Sequence, residues 1–278
     1  MCNNNTTTTT NDLEIMDTAT TNKLSGIITL GIAGGSGSGK TTLAKAILNA
    51  LGGTESVVYL AHDDYYKDLS HLSNTADRAK TNFDHPDSLD TELMIEHIRE
   101  LRKGRSIDVP KYCFQTHCRI PSMTRRMGGR IVIVEGILIL TNPYLRNELN
   151  LMVYVDADSD IRLSRRMKRD VEERGRSLEE VISQYHATVR PMHEEWVEPS
   201  KKYADFVVQT NQHSLTIAVQ TLTNHLRAEA CFEQQSTMPF DKCDTIHKER
   251  EVDDVSLQKQ QAMKTSTDYT SLLLFCIM

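Results

Sequence analysis

Gly34-Gly35-Ser36-Gly37-Ser38-Gly39-Lys40-Thr41 is a G-x-x-x-x-G-K-T run, preceded by the apolar segment 27–33 and followed by the helical pattern 41–51. Strand, glycine loop and helix in that order form the context in which such a run cradles phosphates. Glycine opens backbone conformations closed to other residues, so successive N–H groups can turn toward an anion. The helix that follows aims its positive end at the same place. Gly34, Gly35, Ser36, Gly37, Ser38 and Gly39 then form the cradle for a nucleoside triphosphate. Lys40 bridges the β- and γ-phosphates, and the Thr41 hydroxyl ligates Mg2+ with Thr42 beside it.

Outward from this loop, short apolar runs alternate with helical patterns, which predicts a parallel sheet covered by helices. Strands are expected at 27–33, 57–60, 131–134, 151–155 and 206–208, and helices at 41–51, 91–103, 160–173, 178–203 and 214–226. Between 109 and 130 the alternation breaks down. Tyr112-Cys113-Phe114 and His117-Cys118-Arg119 read as a small hairpin inserted in the layers, a place where specificity often resides. The folded unit spans 25–228. Residues 1–24, rich in Asn and Thr, and 229–278, polar with mixed charge, have little apolar surface to bury and are expected to be disordered tails.

A chain of 278 residues with 39% hydrophobic content can bury one full core, and two complete domains would be crowded. Its net charge of -6 argues against a general affinity for nucleic-acid backbones. The six cysteines follow no disulfide framework, so a reducing, cytoplasmic setting is expected. The opening residues lack the basic and apolar regions of a secretory signal, and no apolar stretch reaches membrane-spanning length. The apolar segment 272–278 reads as a sticky tail. Its Cys276 is third from the end, where prenylation needs the fourth.

Acidic motifs narrow the chemistry. D-x-x-G and N-K-x-D are absent, which disfavours a switch GTPase. Glu135 follows Ile131-Val132-Ile133-Val134 at a strand's carboxyl end, where ligands gather in open α/β sheets, and can hold Mg2+. His62-Asp63-Asp64-Tyr65-Tyr66 closes the second strand, and Asp63 could take the proton of an attacking hydroxyl while supporting the metal. A carboxylate there repels an acceptor that already carries phosphate, so a neutral alcohol is expected. Asp84, in Phe83-Asp84-His85-Pro86-Asp87, offers acceptors to vicinal sugar hydroxyls. Arg162, Arg165, Arg166 and Arg169 recur at helical spacing, and a glycine-punctuated turn follows with Arg174 and Arg176. A closing lid needs such residues to stabilise charge on the transferring group and to exclude water. Arg169 and Arg174 are expected at that group.

With Glu135-Gly136-Ile137-Leu138, Glu173-Arg174-Gly175-Arg176, Gln184-Tyr185 and Pro199-Ser200-Lys201-Lys202-Tyr203-Ala204-Asp205, these motifs resemble the uridine kinase, or uridine-cytidine kinase, family from about 28 to 226. The resemblance implies an α/β fold of P-loop kinase type, a parallel sheet flanked by helices with an inserted small β-hairpin and an Arg-rich helical lid. It implies transfer of the γ-phosphate of ATP (or GTP) to the 5′-hydroxyl of uridine or cytidine, giving UMP or CMP. Asp63 would be the catalytic base, with Mg2+ at Thr41, Glu135 and Asp63. Asp84 would bind the ribose, and Arg166, Arg176 and Gln184 would touch the nucleoside. Tyr112 and His117 would read the pyrimidine edge while Phe83 and Phe114 pack against its ring. A homotetramer restrained by CTP and UTP is also implied.

Two other readings compete. One is a different small-alcohol kinase, resembling phosphoribulokinase or pantothenate kinase; the other is a nucleotide-binding regulator without transfer activity. Tyr112, Phe114 and His117 favour a flat base over the former. The sequence around Cys113, His117 and Cys118 invites a zinc reading. On one strand, however, the odd spacing would turn the two cysteines to opposite faces, and no second ligand pair follows.

Overall fold

The structure, a computed structural model, describes residues 26–53, 57–127, 129–210 and 212–236, with the side chains of 212, 213 and 231–236 outside that description. One compact unit ends at Arg227 and a second begins at Ala228. Among the described residues the strands are β1 (Ile28–Gly34), β2 (Val57–Ala61), β3 (Ile107–Cys113), β4 (Cys118–Arg126), β5 (Ile131–Glu135), β6 (Leu151–Asp156) and β7 (Phe206–Gln209). Five of them form one sheet in the order β2-β5-β1-β6-β7, every pair parallel. The helices are α1 (Lys40–Ala50), α2 (Thr75–Ala79), α3 (Thr91–Arg102), α4 (Pro143–Arg146), α5 (Ser159–Glu172), α6 (Leu178–Gln184), α7 (Arg190–Met192), α8 (Glu198–Ser200) and α9 (Gln212–Ser236).

Strands buried on both faces read as continuous apolar runs rather than alternating ones. Every residue of β1 and β5 is buried, and Leu30, Ile32, Ile133 and Val134 are fully so. Each such side chain contributes roughly 1.5–3 kcal/mol by leaving water. These central strands are therefore held firmly on both faces, and their carboxyl ends make a rigid base for the loops above them. The expected strands all form, within a residue at each end.

Three elements differ from expectation. The single helix expected at 178–203 is a succession of α-turns and wider π-turns, the latter at Tyr185–Val189 and His193–Val197, closing in a 3-10 turn at Lys201–Tyr203. Pro191 and Pro199 each follow a wide turn closely. Proline has no N–H and its ring clashes with the carbonyl four residues back, and the widened turns absorb both defects without ending the helix. The last helix runs to Ser236 rather than 226, because 227–236 contain neither glycine nor proline to stop it. Of the expected tails, 229–236 continue this helix; 1–24 and 237–278 lie outside the described residues. Finally, the hairpin is larger than the one expected, with β3 and β4 pairing from Ile107–Arg126 to Cys113–Cys118 around a register shift at Pro110.

The same register corrects the argument against zinc. Cys113 and Cys118 are not on one strand; they are direct partners across the hairpin and share a face. Among the described residues, no three His, Cys, Asp or Glu side chains are grouped to hold a metal.

Candidate active site

The glycine loop links β1 to α1 at the carboxyl edge of the sheet. Gly37, at φ 78, must be glycine for two reasons: the left-handed backbone, and the Arg162 carbonyl oxygen, which would lie 2.3 Å from any added Cβ. Gly39, at φ 99, starts α1 with no side-chain cap and no acid in the first turn, so the helix's first N–H groups stay available to an anion. Lys40 is buried beneath the loop, while Thr41 is half-buried and Thr42 exposed on the same turn.

Register brings the acids to this loop. Ala61 of β2 and Ile32 of β1 are both partners of Glu135, so Asp63, two residues beyond Ala61, and Gly34, two beyond Ile32, flank that glutamate on the same edge. With strands about 4.8 Å apart, the paired positions Ala61 and Ile32 stand on the order of 10 Å from one another. Glu135 is 5% exposed. Its Oε1 accepts hydrogen bonds from the hydroxyls of Thr41 (3.0 Å) and Tyr59 (2.9 Å), while Oε2 is buried without a hydrogen-bond partner. An orphaned carboxylate oxygen next to the loop's threonine hydroxyl is a fit for a hard divalent cation.

Asp63 lies in a 3-10 turn, His62–Tyr65. Its charge is felt by Asp84, Tyr66 and Arg174. Burial, with the charges of Asp63 and Glu135 adding to it, pushes Asp64 up to about 6, although its carboxylate accepts from the Tyr112 N–H. That bond fastens the turn to the hairpin. Burial holds His62 down to about 4; its Nε2 pairs with the Thr91 hydroxyl at 3.2 Å. Asp84 is 7% exposed, and burial holds its carboxyl above the usual range against the pull of Arg166 and a 3.4 Å hydrogen bond from Thr188.

Phe83, Asp84, Tyr112, Phe114, His117, Arg166, Arg176 and Gln184, the eight residues expected at the nucleoside, line one cavity. The sequence reading missed a ninth, Tyr66, whose ring meets Phe83, Tyr112 and Phe114 at 5.1–6.5 Å. The signal available for it was an aromatic three residues after Asp63. Phe83 does not present an open face: the His117 ring stacks on it at 4.9 Å and 17°. His117 is also the one non-glycine among the described residues with a left-handed backbone, φ 54. The cavity measures about 40 Å3 and adjoins an open groove of about 990 Å3 lined in part by Phe114, His117, Arg174 and Arg176.

The arginines converge on a residue that the sequence reading left without a role. Asp170 is fully buried; Arg169 reaches it at 2.8 Å, Arg174 at 3.3 Å, Arg166 at 3.6 Å and Arg176 at 3.9 Å. Gln184 Oε1 accepts from Arg166 (2.9 Å) and Arg176 (2.6 Å), and Arg166 donates to the Ser36 hydroxyl of the glycine loop at 2.8 Å. Arg174 stacks over Phe114 at 4.4 Å, joining the lid turn to the hairpin. These are buried pairings, not a solvated basic helix face.

Residues 29–217 match the model of the phosphoribulokinase / uridine kinase family. A uridine kinase of Chloroflexus aurantiacus is 51% identical over 180 residues, covering 65% of this chain and 85% of the relative. One from Clostridium perfringens is 48% identical over 187 residues, covering 67% and 89%. A solved structure from Silicibacter sp. TM1040, provisionally described as a fructose transport system kinase, is similar in fold at a TM-score of 0.53 and 16% identity, covering 66% of this chain and 89% of that one. The family model spans well over half of this chain, and the two uridine kinases are covered over most of their own length, so the chain belongs to the phosphoribulokinase / uridine kinase family.

Proposed function

We propose that this chain is a uridine/cytidine kinase that transfers the γ-phosphate of ATP to the 5′-hydroxyl of uridine or cytidine. The observation that carries the reading is the convergence of an acid, aromatic walls and lid arginines on one cavity next to the glycine loop. Relatives at 48–51% identity bearing the name uridine kinase support the same reading.

In this mechanism the loop N–H groups and Lys40 hold the triphosphate. Asp84 accepts from the ribose hydroxyls, and Tyr112 and His117 meet the edge of the base. Asp63 takes the proton of the 5′-hydroxyl as that oxygen attacks phosphorus. Arg169 and Arg174 balance charge on the phosphoryl group in flight. Thr41, Glu135 and Asp63 would hold Mg2+, which neutralises charge on the phosphates when bound. The cavity shares Phe114, His117, Arg176 and Gln184 with the larger groove, so the nucleoside enters from that side by parting the Arg176–Gln184 and Arg174–Phe114 contacts. Family membership further leads us to propose a cytoplasmic homotetramer restrained by CTP and UTP; light scattering and inhibition kinetics test those points.

The deciding experiment is ADP release with uridine, cytidine, ribulose phosphate and pantothenate in parallel. Turnover with the two nucleosides is expected. Turnover with only a non-nucleoside, or ATP binding with no acceptor-dependent turnover, would sink the proposal.

A further inference from the structure

Cys113 and Cys118 are partners at the tip of the β3–β4 hairpin; both are partly exposed and both are free thiols. Antiparallel partners share a face with Cα atoms about 4.5–5.5 Å apart, inside the roughly 4.4–6.8 Å that a disulfide spans. The neighbouring pair, Tyr112 and Arg119, faces inward: Tyr112 lines the nucleoside cavity and Arg119 donates to the carbonyls of Tyr65 and Tyr66. The cysteine pair therefore points to the opposite, outer side. Around the Cys113 sulfur, hydrogen bonds from the Thr116 hydroxyl, the Thr116 N–H and the Gln115 N–H hold the thiol below its usual range. That favours the thiolate, the nucleophilic form.

The turn enclosed by this pair, 114–117, carries two walls of the cavity, Phe114 and His117. It is a turn under constraint, with His117 left-handed and its N–H donating to the Cys113 carbonyl at 2.9 Å. Nothing in the proposed reaction uses either sulfur.

We propose that Cys113 and Cys118 form a reversible modification site for small-molecule disulfides, whose closure into a cross-strand bond weakens nucleoside binding. The Cys113 thiolate attacks one sulfur of the small disulfide, forming a mixed disulfide and expelling the first thiolate. The Cys118 thiolate then attacks the Cys113 sulfur and expels the second. The protein loses two electrons and two protons, and the small disulfide becomes two thiols. Excess thiol reverses both steps. Forming the bond draws the Cys113 sulfur off its Thr116 and Gln115 donors, so the turn must rearrange and take His117 and Phe114 with it.

The kinetic half of this inference rests on the hairpin contacting the nucleoside, whereas the chemical half does not. The test is to incubate the full chain with oxidised glutathione, block remaining thiols and map the peptides by mass. A Cys113–Cys118 disulfide is expected in the parent, and a glutathione adduct on Cys113 in Cys118→Ser. The uridine KM should rise about five-fold or more while the ATP KM stays within about two-fold, both reversed by dithiothreitol and absent in the double serine variant. Both thiols remaining alkylatable after treatment would overturn the site; a mapped disulfide with an unmoved uridine KM would overturn its effect. Failure of the untreated chain to phosphorylate uridine would instead strike the kinase reading, and the peptide map would still decide the thiol chemistry.

Discussion

Replacing Asp170 by Asn keeps the shape of the side chain and removes the one negative charge on which four guanidinium groups converge. The carboxylate is fully buried, and its partners' side chains are 7–30% exposed. Removing one member of a buried charge cluster typically costs about 3–5 kcal/mol, because the remaining charges stay desolvated and unbalanced. Three of the four arginines are about a fifth to a third exposed, so water compensates in part and the lower end, about 3 kcal/mol, is expected. For a folded unit of this size that corresponds to roughly 6–12 °C in Tm. Burial works to raise the Asp170 pKa, but Arg169, Arg166 and Arg174 outweigh it and hold the group below its ordinary value. A depressed carboxylate stabilises the fold above its unfolded pKa and loses that contribution only as pH falls through the folded one. The gap between parent and variant should therefore be constant from pH 8 to 5 and close only below about pH 4. Urea melts at several pH values, read as midpoint shifts at constant slope, measure it. A destabilisation under about 0.5 kcal/mol at pH 7, or a gap that closes between pH 7 and 5, would refute Asp170 as the organiser of the lid.

Asp63→Asn should lower kcat by about 10²–10⁴-fold with little change in uridine KM in steady-state assays. His117→Ala should do the reverse, raising uridine KM about ten-fold with kcat nearly kept; equal effects of the two variants would contradict the separate roles. Glu135→Gln, which leaves acceptor and donor where Oε1 and Oε2 stand, should raise the Mg2+ concentration for half-maximal turnover about ten-fold or more, read by metal titration. His62, whose folded pKa of about 4 lies below its unfolded value, stabilises the protein fully above pH 6.5 and less as pH falls toward 4. It should cost about 2 kcal/mol between pH 7.5 and 5, offset in part by Asp64, whose raised pKa acts in the opposite sense, and a His62→Asn variant should show a shallower decline in urea midpoint over that range.

What was legible in the sequence was what periodicity and local motif encode. Apolar runs gave the five sheet strands, and Gly34 to Thr41 sat between strand and helix as the motif demands. The eight residues proposed for the nucleoside could be named through the family resemblance carried by their short contiguous motifs, and the fold brings them to one cavity. What was not legible depends on contacts between distant segments. The cysteine pair looked divergent when counted along one strand and is paired once β3 folds onto β4. Asp170 looked like one acid in a mixed run, and its weight comes from arginines on α5 and on the turn beyond it. The widened turns before Pro191 and Pro199 keep a helix going through residues that sequence rules would use to end it.

The distribution of charge in the site bears on which acceptor it favours and which product it releases. Asp63, Asp64 and Glu135 gather at one edge, where burial together with the charges of Asp63 and Glu135 lifts Asp64 to about 6. The lid arginines offset part of this field, Arg166 and Arg176 at Asp84 and Arg174 at Asp63, although their shortest ion pairs go to Asp170. A neutral nucleoside meets no penalty from those acids, whereas an acceptor already bearing phosphate would bring two negative charges toward Asp63 and Asp84. The monophosphate product is in that same position the moment the transfer is complete. In the proposed mechanism, repulsion that rejects a phosphorylated acceptor would therefore also loosen the product, so that one electrostatic arrangement would supply both selectivity for an uncharged alcohol and a driving force for release.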